Sequence, residues 1–302
     1  MSDSNRQPWM AMAPPVPMNT TSMAPVTAVV LARNEAHNIE RCLRSLAWCA
    51  ERVVVDDSST DDTVALAKSH GARVLSRKFD TFAGQRNWAL EEGGLAHEWV
   101  LMLDADEEVG PACRDQIKSA LQSVDSETVA FRMCRKTMFL GKWLKYSDGF
   151  PVWIMRLVRK EKARFVDQGH GEVPVPDVPG KIGTIREPFI HSPFSRGVAH
   201  WVERHNKYSD REAALEVSGR AGFSARRLLS LDSATRRQAQ RQLSRRVFAR
   251  PTLRFLYHYV FKLGCLDGRA GLAFSMLMAS YESLIVVKRW ENESQGSATI
   301  GP

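Results

Sequence analysis

The sequence predicts an α/β fold in which a mostly parallel sheet is flanked by helices. Two observations lead to this prediction. Short apolar runs rich in Val, Ile and Leu alternate with segments of helical periodicity between residues 26 and 121. Polar or acidic residues directly follow three of these apolar runs. Strands that alternate with helices are joined by right-handed crossovers, and such connections make neighbouring strands parallel.

Length and composition are those of a folded soluble protein with an anionic partner. The 302 residues allow one large α/β domain with an appendage, or two small domains. The hydrophobic content of 44% excludes a wholly disordered chain. The net charge of +8 leaves nucleic acid, a phospholipid surface and a phosphorylated substrate open as partners. The scattered cysteines form no Cys-x-x-Cys pair and fit a reducing compartment.

Strands and helices alternate after a predicted disordered tail at residues 1–25, which is rich in Met, Pro, Ser and Thr. The strands are predicted over residues 26–31, 52–56, 73–75 and 98–103, and the helices over residues 38–48, 63–70, 84–92 and 111–121. Pro111 suits the first turn of the last helix. A further strand is predicted over residues 128–133. Residues 135–200 then carry glycines, prolines and aromatics in short segments, which predicts irregular strands and loops that cover a pocket or bind an acceptor.

Polar or acidic pairs follow three of the predicted strands. These pairs are Asn34 with Glu35, Asp56 with Asp57, and Asp104 with Asp106. Each pair alone is explained by a helix N-cap, where Asp and Asn are preferred. In open α/β sheets, however, ligands bind beyond the carboxyl ends of the strands. Carboxylates that meet at one edge repel each other unless a cation or a donor-rich ligand offsets them. We therefore expect a binding site at this edge.

Asp104 and Asp106 form the sharpest of these motifs. Two carboxylates two residues apart at a strand end can reach one hard divalent cation, Mg²⁺ or Mn²⁺, and leave coordination positions open for phosphate oxygens. A diphosphate leaving group suits that arrangement. The motif is short and also suits an ordinary cap, so its meaning depends on its place at the end of the fourth strand.

Asp56 and Arg86 are candidate nucleotide contacts. A carboxylate at the tip of the second strand can accept hydrogen bonds from a base or a ribose hydroxyl, although a capping role explains Asp56 equally well. Arg86 begins a helix that returns to the same edge, where it either reaches a phosphate or is a solvated arginine. The first strand lacks a Gly-x-Gly-x-x-Gly turn and the chain has no Walker loop, which argues against a dinucleotide cofactor and P-loop phosphoryl transfer.

Four segments stand in a recognisable order and spacing: residues 27–35 (TAVVLARNE), 53–63 (VVVDDSSTDDT), 84–87 (GQRN) and 102–108 (MLDADEE). They resemble the family 2 inverting glycosyltransferases of the GT-A fold. Later segments are residues 139–141 (FLG), 149–151 (GFP), 156–157 (RL), 170–172 (HGE) and 264–268 (GCLDG). These resemble the subgroup that adds a sugar to the inner core of lipopolysaccharide, the WaaE-like β-glucosyltransferases. The resemblance covers roughly residues 26–290.

The resemblance implies a Rossmann-like GT-A nucleotide-sugar-binding domain over residues 26–200, with its nucleotide half at residues 26–125 and its acceptor half at residues 126–200. The positions that it implies for nucleotide-sugar binding are Asn34, Glu35, Asp56, Asp57, Arg86 and Asp104. It implies that Asp104 and Asp106 hold a divalent metal, Mg²⁺ or Mn²⁺, together with the diphosphate.

The resemblance also suggests a general base. Glu172 falls where the subgroup has a His-Glu pair and is our candidate, although an exposed loop acid beside Pro174 is the alternative. His170 and His191 are assigned no role. The chain departs from the subgroup after Phe150 and Pro151, where Val and Trp replace the usual Asp and Arg, so we expect the choice of acceptor or donor to differ.

The C-terminal part is predicted to be helical over residues 201–290, with a disordered tail at residues 291–302. Residues 220–262 hold ten Arg and one Lys against a single acid, Asp232, so the excess positive charge lies here. Arginines at helical spacing among Leu and Val predict a basic amphipathic region that binds an anionic inner-leaflet surface. A solvated charged face is the alternative. No nucleic acid is expected, because the region lacks a recognised reading module.

Residues 270–287 are mostly apolar but short for a membrane span, and they contain Glu282. They predict a helix packed on the domain or lying in the membrane interface. With the resemblance, these features predict a cytoplasmic enzyme, peripheral at the inner membrane. It would move sugar from a nucleotide sugar, with a UDP-sugar favoured, to a lipid-linked glycan. A polyprenyl-phosphate or exopolysaccharide transferase, and a basic adaptor with a degenerate transferase domain, are the alternatives.

Overall fold

The computed structural model describes residues 23–168, 171–176, 180–218 and 249–298. The first half alternates strands and helices as the sequence predicts. Its elements are β1 (Ala24–Ala32), α1 (Ile39–Ser45), β2 (Cys49–Asp56), α2 (Thr63–Ser69), β3 (Arg73–Ser76), α3 (Phe82–Glu92), β4 (Trp99–Asp104), β5 (Glu107–Glu108) and α4 (Pro111–Gln122). Each predicted strand and helix up to residue 121 is present, with ends that differ by a few residues.

The second half is more regular than the loops predicted for residues 135–200. It contains β6 (Thr128–Phe139), β7 (Lys142–Trp143), β8 (Val152–Arg159), β9 (Ala163–Gln168), β10 (Gly171–Pro176) and β11 (Lys181–His191). Helix α5 (Gly197–Ser218), helix α6 (Arg250–Leu256), a π-helical turn (Tyr257–Phe261), a 3₁₀ turn (Gly264–Asp267) and helix α7 (Gly268–Ala298) follow. The strands form because β4 offers an open edge on which β8 pairs.

Within the described residues, the central sheet has the strand order β3-β2-β1-β4-β8-β6-β11-β5. The four strands of the nucleotide half are parallel. Strand β8 runs antiparallel to β4 and β6, whereas β11 is parallel to β6. Leu31 of β1 pairs with Val55 on one side and with Asp104 on the other. The register therefore brings the ends of β1, β2 and β4 to the same edge.

The strands of the parallel half bury both of their faces. Leu101 and Leu103 of β4 pack with Leu43 and Ile117 on the side of α1 and α4. The alternate residues Val100 and Met102 belong to a second core cluster on the side of α3. Side chains of a strand point alternately to the two faces, which explains why this run is apolar throughout. The core thus packs both faces of the sheet and leaves its polar strand ends together at one edge.

The C-terminal helices pack on this domain and on each other. Trp201 of α5 contacts Tyr281 and Ile285 of α7, and the start of α7 packs through Phe274 against the β6–β7 region. Asp267 accepts hydrogen bonds from the backbone N–H of Ser147 at 2.8 Å and from its hydroxyl at 2.7 Å. These contacts agree with the predicted helix packed on the domain.

A cluster of charged residues of the C-terminal part also lies inside the protein. Arg250 donates to both carboxylate oxygens of Glu216 at 2.9 Å and forms an ion pair with Glu282. Arg250 is one of the arginines predicted to face a membrane, and that placement is wrong, because its side chain is only 10% exposed. The other arginines of the segment at residues 220–248 lie outside the described residues.

One helix, Gly264–Ser294, is long and apolar enough to cross a membrane by length and composition, with a mean hydropathy of 1.6, among the parts of the chain that the structure describes. About 39% of that apolar window is buried inside the protein.

Candidate active site

A cavity of about 600 Å³ opens at the carboxyl ends of β1, β2 and β4. Its floor carries Asp104, Asp106 and Glu107, one wall carries Arg33, Glu35 and Asp57, and a second wall comes from α5 and the residue before it. The two walls meet where Arg196 Nη1 lies 3.6 Å from Glu35 Oε1. The residues of the second wall are Arg196, His200, Arg204, Tyr208 and Arg211. The predicted meeting of polar strand ends at one edge is therefore present, and a basic helix faces it.

Asp57 lines the cavity, whereas its neighbour Asp56 does not. The Asp57 carboxylate accepts hydrogen bonds from Arg33 Nη1 at 2.7 Å and from the backbone N–H of Phe79 at 2.8 Å. The carboxylate of Asp56 instead accepts from the backbone N–H and the hydroxyl of Ser59. Asp56 thus stabilises its own turn, as the capping alternative expects, and Asp57 is the acid that a nucleotide in the cavity can reach.

Asn34 and Glu35 have different positions at the end of β1. Asn34 has a left-handed backbone (φ 53°) and accepts a 2.7 Å hydrogen bond from the backbone N–H of Thr60, so it joins the loops after β1 and β2. Asn34 is not on the cavity wall, but Glu35 is. Burial raises the pKa of Glu35, and its Oε2 accepts a 2.6 Å hydrogen bond from Asn38.

Arg86 lies behind the cavity wall. Its side chain is fully buried, and its Nη2 donates to Asp104 Oδ1 at 2.6 Å. Its guanidinium lies 5.7 Å from the ring centroid of Phe165, which belongs to β9. The expected contact of Arg86 with the nucleotide is not what the geometry shows: the helix returns to the sheet edge, but the arginine reaches the end of β4.

Asp104 is held by two arginines. Arg156 Nη2 donates to Asp104 Oδ2 at 2.9 Å and to Glu107 Oε1 at 2.6 Å, and Glu107 Oε2 accepts the backbone N–H of Asp104 at 3.0 Å. Burial alone would raise the pKa of Asp104, but the guanidinium groups of Arg86 and Arg156 outweigh it and hold that pKa well below its usual range. Burial raises the pKa of Glu107 to about 7. Asp104 is therefore a fixed carboxylate with both oxygens engaged.

Asp106 and His191 provide the donor pair that best suits a divalent cation. His191 Nε2 lies 3.6 Å from Asp106 Oδ2. Burial lowers the pKa of His191 to about 3, so its imidazole is neutral and can act as a ligand. Burial, with the charge of Asp104, raises the pKa of Asp106 to about 6, which a cation beside it would reverse. The carboxylate of Asp106 suits Mg²⁺ or Mn²⁺, and the added imidazole nitrogen favours the transition metal Mn²⁺ over Mg²⁺, which prefers oxygen ligands.

Asp106 and His191 alone do not complete the coordination of a divalent cation. Among the described residues, no group of three His, Cys, Asp or Glu side chains is arranged to hold a metal ion. Asp104 was expected as the second ligand, yet its oxygens are engaged by Arg86 and Arg156. The protein thus presents two donors, and oxygens of a bound diphosphate would complete the coordination.

The α5 side of the cavity is basic because Arg196, Arg204 and Arg211 recur there at helical spacing. The cavity residues between positions 196 and 211 are spaced by four, four, four and three, which places them on one helix face. Arg204 donates to the backbone carbonyl of Pro193 at 3.3 Å, and its Nε is buried without a hydrogen-bond partner. The positive charge of Arg204 also acts on Asp106 and partly offsets the rise in its pKa that burial causes. This face is able to bind phosphate oxygens across from the acidic floor.

Glu172, the predicted base, lies on β10 in a two-stranded hairpin, opposite Asp167 of β9. The hairpin is joined to α3 through Asn87, which donates to the backbone carbonyl of Phe165 at 2.9 Å and accepts from its N–H at 2.8 Å. The side chain of Glu172 is outside the described residues, so its role as base stays a prediction.

Sequence reasoning missed most of the basic wall, and it missed His191 and the positioning role of Arg156. The spacing of Arg196, Arg204 and Arg211 was a readable signal, since these residues share one helix face. His191 had a weaker signal as the last residue of a strand, because strand order alone does not say that β11 ends beside β5 and Asp106.

Comparison with known proteins relates the chain to glycosyltransferases. Residues 27–174 match the model of the family described as glycosyl transferase family 2. The lipopolysaccharide core biosynthesis glycosyltransferase LpsC of Rhizobium meliloti is 30% identical over 199 residues, which cover 64% of this chain and 72% of that protein. An uncharacterized glycosyltransferase of Rickettsia felis is 37% identical over 97 residues, covering 32% of this chain and 34% of that protein.

A solved structure, the mannosyltransferase PcManGT from Pyrobaculum calidifontis in complex with GDP-Man and Mn²⁺, covers 89% of this chain and 88% of its own, with 17% identity and a TM-score of 0.48. The parallel nucleotide half with its acidic strand ends defines a GT-A glycosyltransferase. The chain belongs to glycosyl transferase family 2.

Proposed function

We propose that this glycosyltransferase moves a sugar, with inversion, from a nucleotide-sugar donor to a lipid-linked glycan in the synthesis of lipopolysaccharide core or another cell-surface polysaccharide. The observation that carries the proposal is the single cavity in which the acidic ends of β4 face the basic side of α5. Such a cavity suits a ligand that is both anionic and rich in hydroxyl groups. A nucleoside diphosphate joined to a sugar has both properties.

The donor would lie with its base beside Asp57 and its diphosphate between Asp106 and Arg204. The ring of Phe79 lies 5.0 Å from that of Phe82, and both line the cavity near Asp57, where they offer apolar surface to a base. Arg204 and Arg211 would neutralise phosphate oxygens. A divalent cation held by Asp106 and His191 would supply positive charge against the leaving diphosphate.

The reaction needs one displacement at the anomeric carbon. The acceptor hydroxyl attacks as the bond to the diphosphate breaks, and a carboxylate accepts the hydroxyl proton. Glu172 is the proposed base, and the β9–β10 hairpin carries it. Asp104, held by Arg86 and Arg156, is a positioning residue in this proposal, since its fixed carboxylate orients the chain segment that bears Asp106.

The acceptor class is supported by the relative LpsC, whose name places it in lipopolysaccharide core biosynthesis. A lipid-linked acceptor also agrees with a cytoplasmic protein that is peripheral at the inner membrane, which is part of the proposal. The sugar is left to experiment, and a UDP-sugar is the first donor to test.

Thermal unfolding with nucleotide diphosphates tests the donor site directly. We expect UDP or another nucleoside diphosphate with Mn²⁺ or Mg²⁺ to raise the melting temperature, because a ligand at one hundred times its Kd stabilises the folded state by about 2.7 kcal/mol. Donor screening by mass spectrometry with a membrane extract would then identify the sugar and the acceptor. No shift with any nucleoside diphosphate would contradict the proposal and favour an adaptor with a degenerate transferase domain.

A further inference from the structure

The helical segment at residues 250–261 buries polar residues and exposes most of its large apolar ones. In a helix on a soluble protein the apolar side faces the core. Here Arg250 binds Glu216, and His258 is 5% exposed, with its Nδ1 2.7 Å from the backbone carbonyl of Ser147. Phe255 and Tyr259 are half-buried, and the other large apolar side chains point to the outside.

The outward apolar residues form one continuous surface, which we call the apolar face. Its members are Leu253, Leu256, Tyr257, Val260, Phe261, Leu263 and Leu266. Phe261 is 76% exposed and Leu266 is 62% exposed. Those on the helical segment are spaced by three, one, three and one residues, as on one side of a helix. Exposed apolar patches of this kind mark a binding surface for a protein or a membrane.

Further exposed apolar residues lie near the apolar face. Leu272 and Met276, four residues apart on α7, are exposed. Leu140 in the β6–β7 turn is 63% exposed, and Lys142 follows it closely in the chain. A Cβ placed on Gly268 would lie 3.8 Å from Lys142 Nζ, so this turn adjoins the start of α7. A turn that is distant in sequence therefore adds apolar surface beside residues 253–266.

Basic side chains surround the apolar face. Lys142, Lys145 and Arg269 are exposed. Asp267 is the one acid among residues 249–281, all of which the structure describes, and it is buried, with hydrogen bonds to Ser147. An apolar centre with a purely cationic rim is the composition that binds an anionic lipid surface.

We infer that the apolar face docks into the interfacial region of an anionic phospholipid bilayer. Phe261, Val260 and Leu266 would enter the boundary between head groups and acyl chains, and the basic rim would contact lipid phosphates. A second copy of the chain fits less well, because two cationic rims would repel each other. The inference rests on the peripheral membrane location in the proposed function and assigns the membrane contact to residues 253–266.

Vesicle flotation with the full-length protein, without any sugar donor, tests the inference. We expect binding to vesicles of phosphatidylglycerol mixed into phosphatidylcholine, and much weaker binding to phosphatidylcholine alone. The double variant Val260→Ser with Phe261→Ser should lower the partition coefficient about tenfold or more, because it removes apolar area that would leave water. Both side chains are half or more exposed, so the variant should fold.

Ile182→Ser is the matched control, since Ile182 is 45% exposed at the start of β11, where it pairs with Ala130 and not with the β6–β7 turn, and its partition should stay within about twofold of the unchanged protein, because that side chain would not leave water on binding. Unchanged binding of the double variant would overturn the inference and assign any membrane contact to other parts of the chain. Absence of binding by the unchanged protein would overturn it too. Dimers in light scattering that the double variant abolishes would assign the face to a second copy. Because no donor is present, these outcomes are independent of nucleotide-sugar transfer.

Discussion

Arg86 Nη2 lies 2.6 Å from Asp104 Oδ1, and Arg86 is completely buried between α3 and the end of β4. The ion pair joins the helix that follows β3 to the strand end that carries the acidic motif. A buried arginine is tolerated only when its charge is paired, and here the phenyl ring of Phe165 and the carboxylate of Asp104 supply that environment. The position of Asp104 thus depends on a residue that never lines the cavity.

Removing this arginine should destabilise the protein strongly. We expect Arg86→Met to lower the free energy of unfolding by about 3–5 kcal/mol, because it leaves the carboxylate of Asp104 with one partner fewer in a buried place. Urea denaturation measures the change. Lys207→Met is the control: its ion pair with Glu203 is exposed on α5 and should cost at most about 1 kcal/mol. Equal effects of the two changes would contradict the prediction.

Asp106→Asn should abolish sugar transfer without loss of fold. The change removes a negative charge that burial already disfavours, so stability should hold or rise slightly, by about 1 kcal/mol at most. In this variant, adding Mn²⁺ or Mg²⁺ should no longer increase the rise in melting temperature that the nucleotide causes. Asp115→Asn, on the exposed side of α4, should change neither quantity. Transfer at the original rate would contradict the assignment of Asp106 to the metal.

Arg204→Gln should weaken nucleotide binding with little effect on stability. We expect the Kd for a nucleoside diphosphate to rise about tenfold, since a charged hydrogen bond to phosphate contributes about 1.5–3 kcal/mol. Isothermal titration measures it. Lys207→Gln removes a charge from the same helix at a position off the cavity wall and should leave the Kd unchanged. Equal Kd values for the Arg204 variant and the unchanged protein would show that this wall does not bind the phosphates.

The interior pairs of Arg250 predict non-additive mutations. Arg250→Met should cost about 3–5 kcal/mol because it removes a buried partner from Glu282 and from Glu216, which keeps Arg289 at 3.5 Å. Adding Glu282→Gln to that variant should recover part of the loss, because the negative charge that Arg250 had offset at residue 282 is then gone. A double-mutant cycle by urea denaturation gives the coupling. Additive costs would mean that the contact of Arg250 with Glu282 contributes nothing.

His258 predicts a loss of stability in mild acid. Burial lowers its pKa to about 4, helped by the charges of Arg254 and Lys262 and opposed by the hydrogen bond to Ser147 and by Asp148. The imidazole of His258 binds a proton near pH 6.5 in the unfolded chain but only near pH 4 in the folded chain. Protonation of the unfolded chain should therefore lower the free energy of unfolding as the pH falls from 6.5 to 4, and above pH 6.5 the stabilising contribution of neutral His258 is fully present.

The variant His258→Asn keeps a donor for the Ser147 carbonyl but has no proton to gain. Its free energy of unfolding should fall less between pH 6.5 and pH 4 than that of the unchanged protein, measured by urea denaturation at several pH values. His37→Asn, at an exposed position, should leave the pH dependence as it was. A slope unaffected by His258→Asn would contradict the prediction.

The order of strands and helices in the nucleotide half was readable because local periodicity reports it. Val100 to Leu103 is a run that only a strand buried on both faces would carry, and its acid end marks the ligand edge. The pairs at Glu35, Asp57 and Asp106 could be placed at that edge from the sequence, since parallel strands end together. Residues 135–200 were predicted as irregular strands and loops, and the bounds and regularity of β8 to β11 were not predicted, because short aromatic segments become regular strands only when an existing sheet edge pairs with them.

The sequence by itself determined the α/β class, the ligand edge and the glycosyltransferase motifs, because these depend on short-range spacing. Tertiary structure decided which acid of each pair faces the cavity, that Arg86 supports Asp104 instead of touching a ligand, and that His191 meets Asp106. It also decided that Arg250 is buried while Phe261 faces outward. Neighbouring acids such as Asp56 and Asp57 have the same local propensities. Only the packing of distant elements selects which side chain is buried and paired and which one faces the cavity.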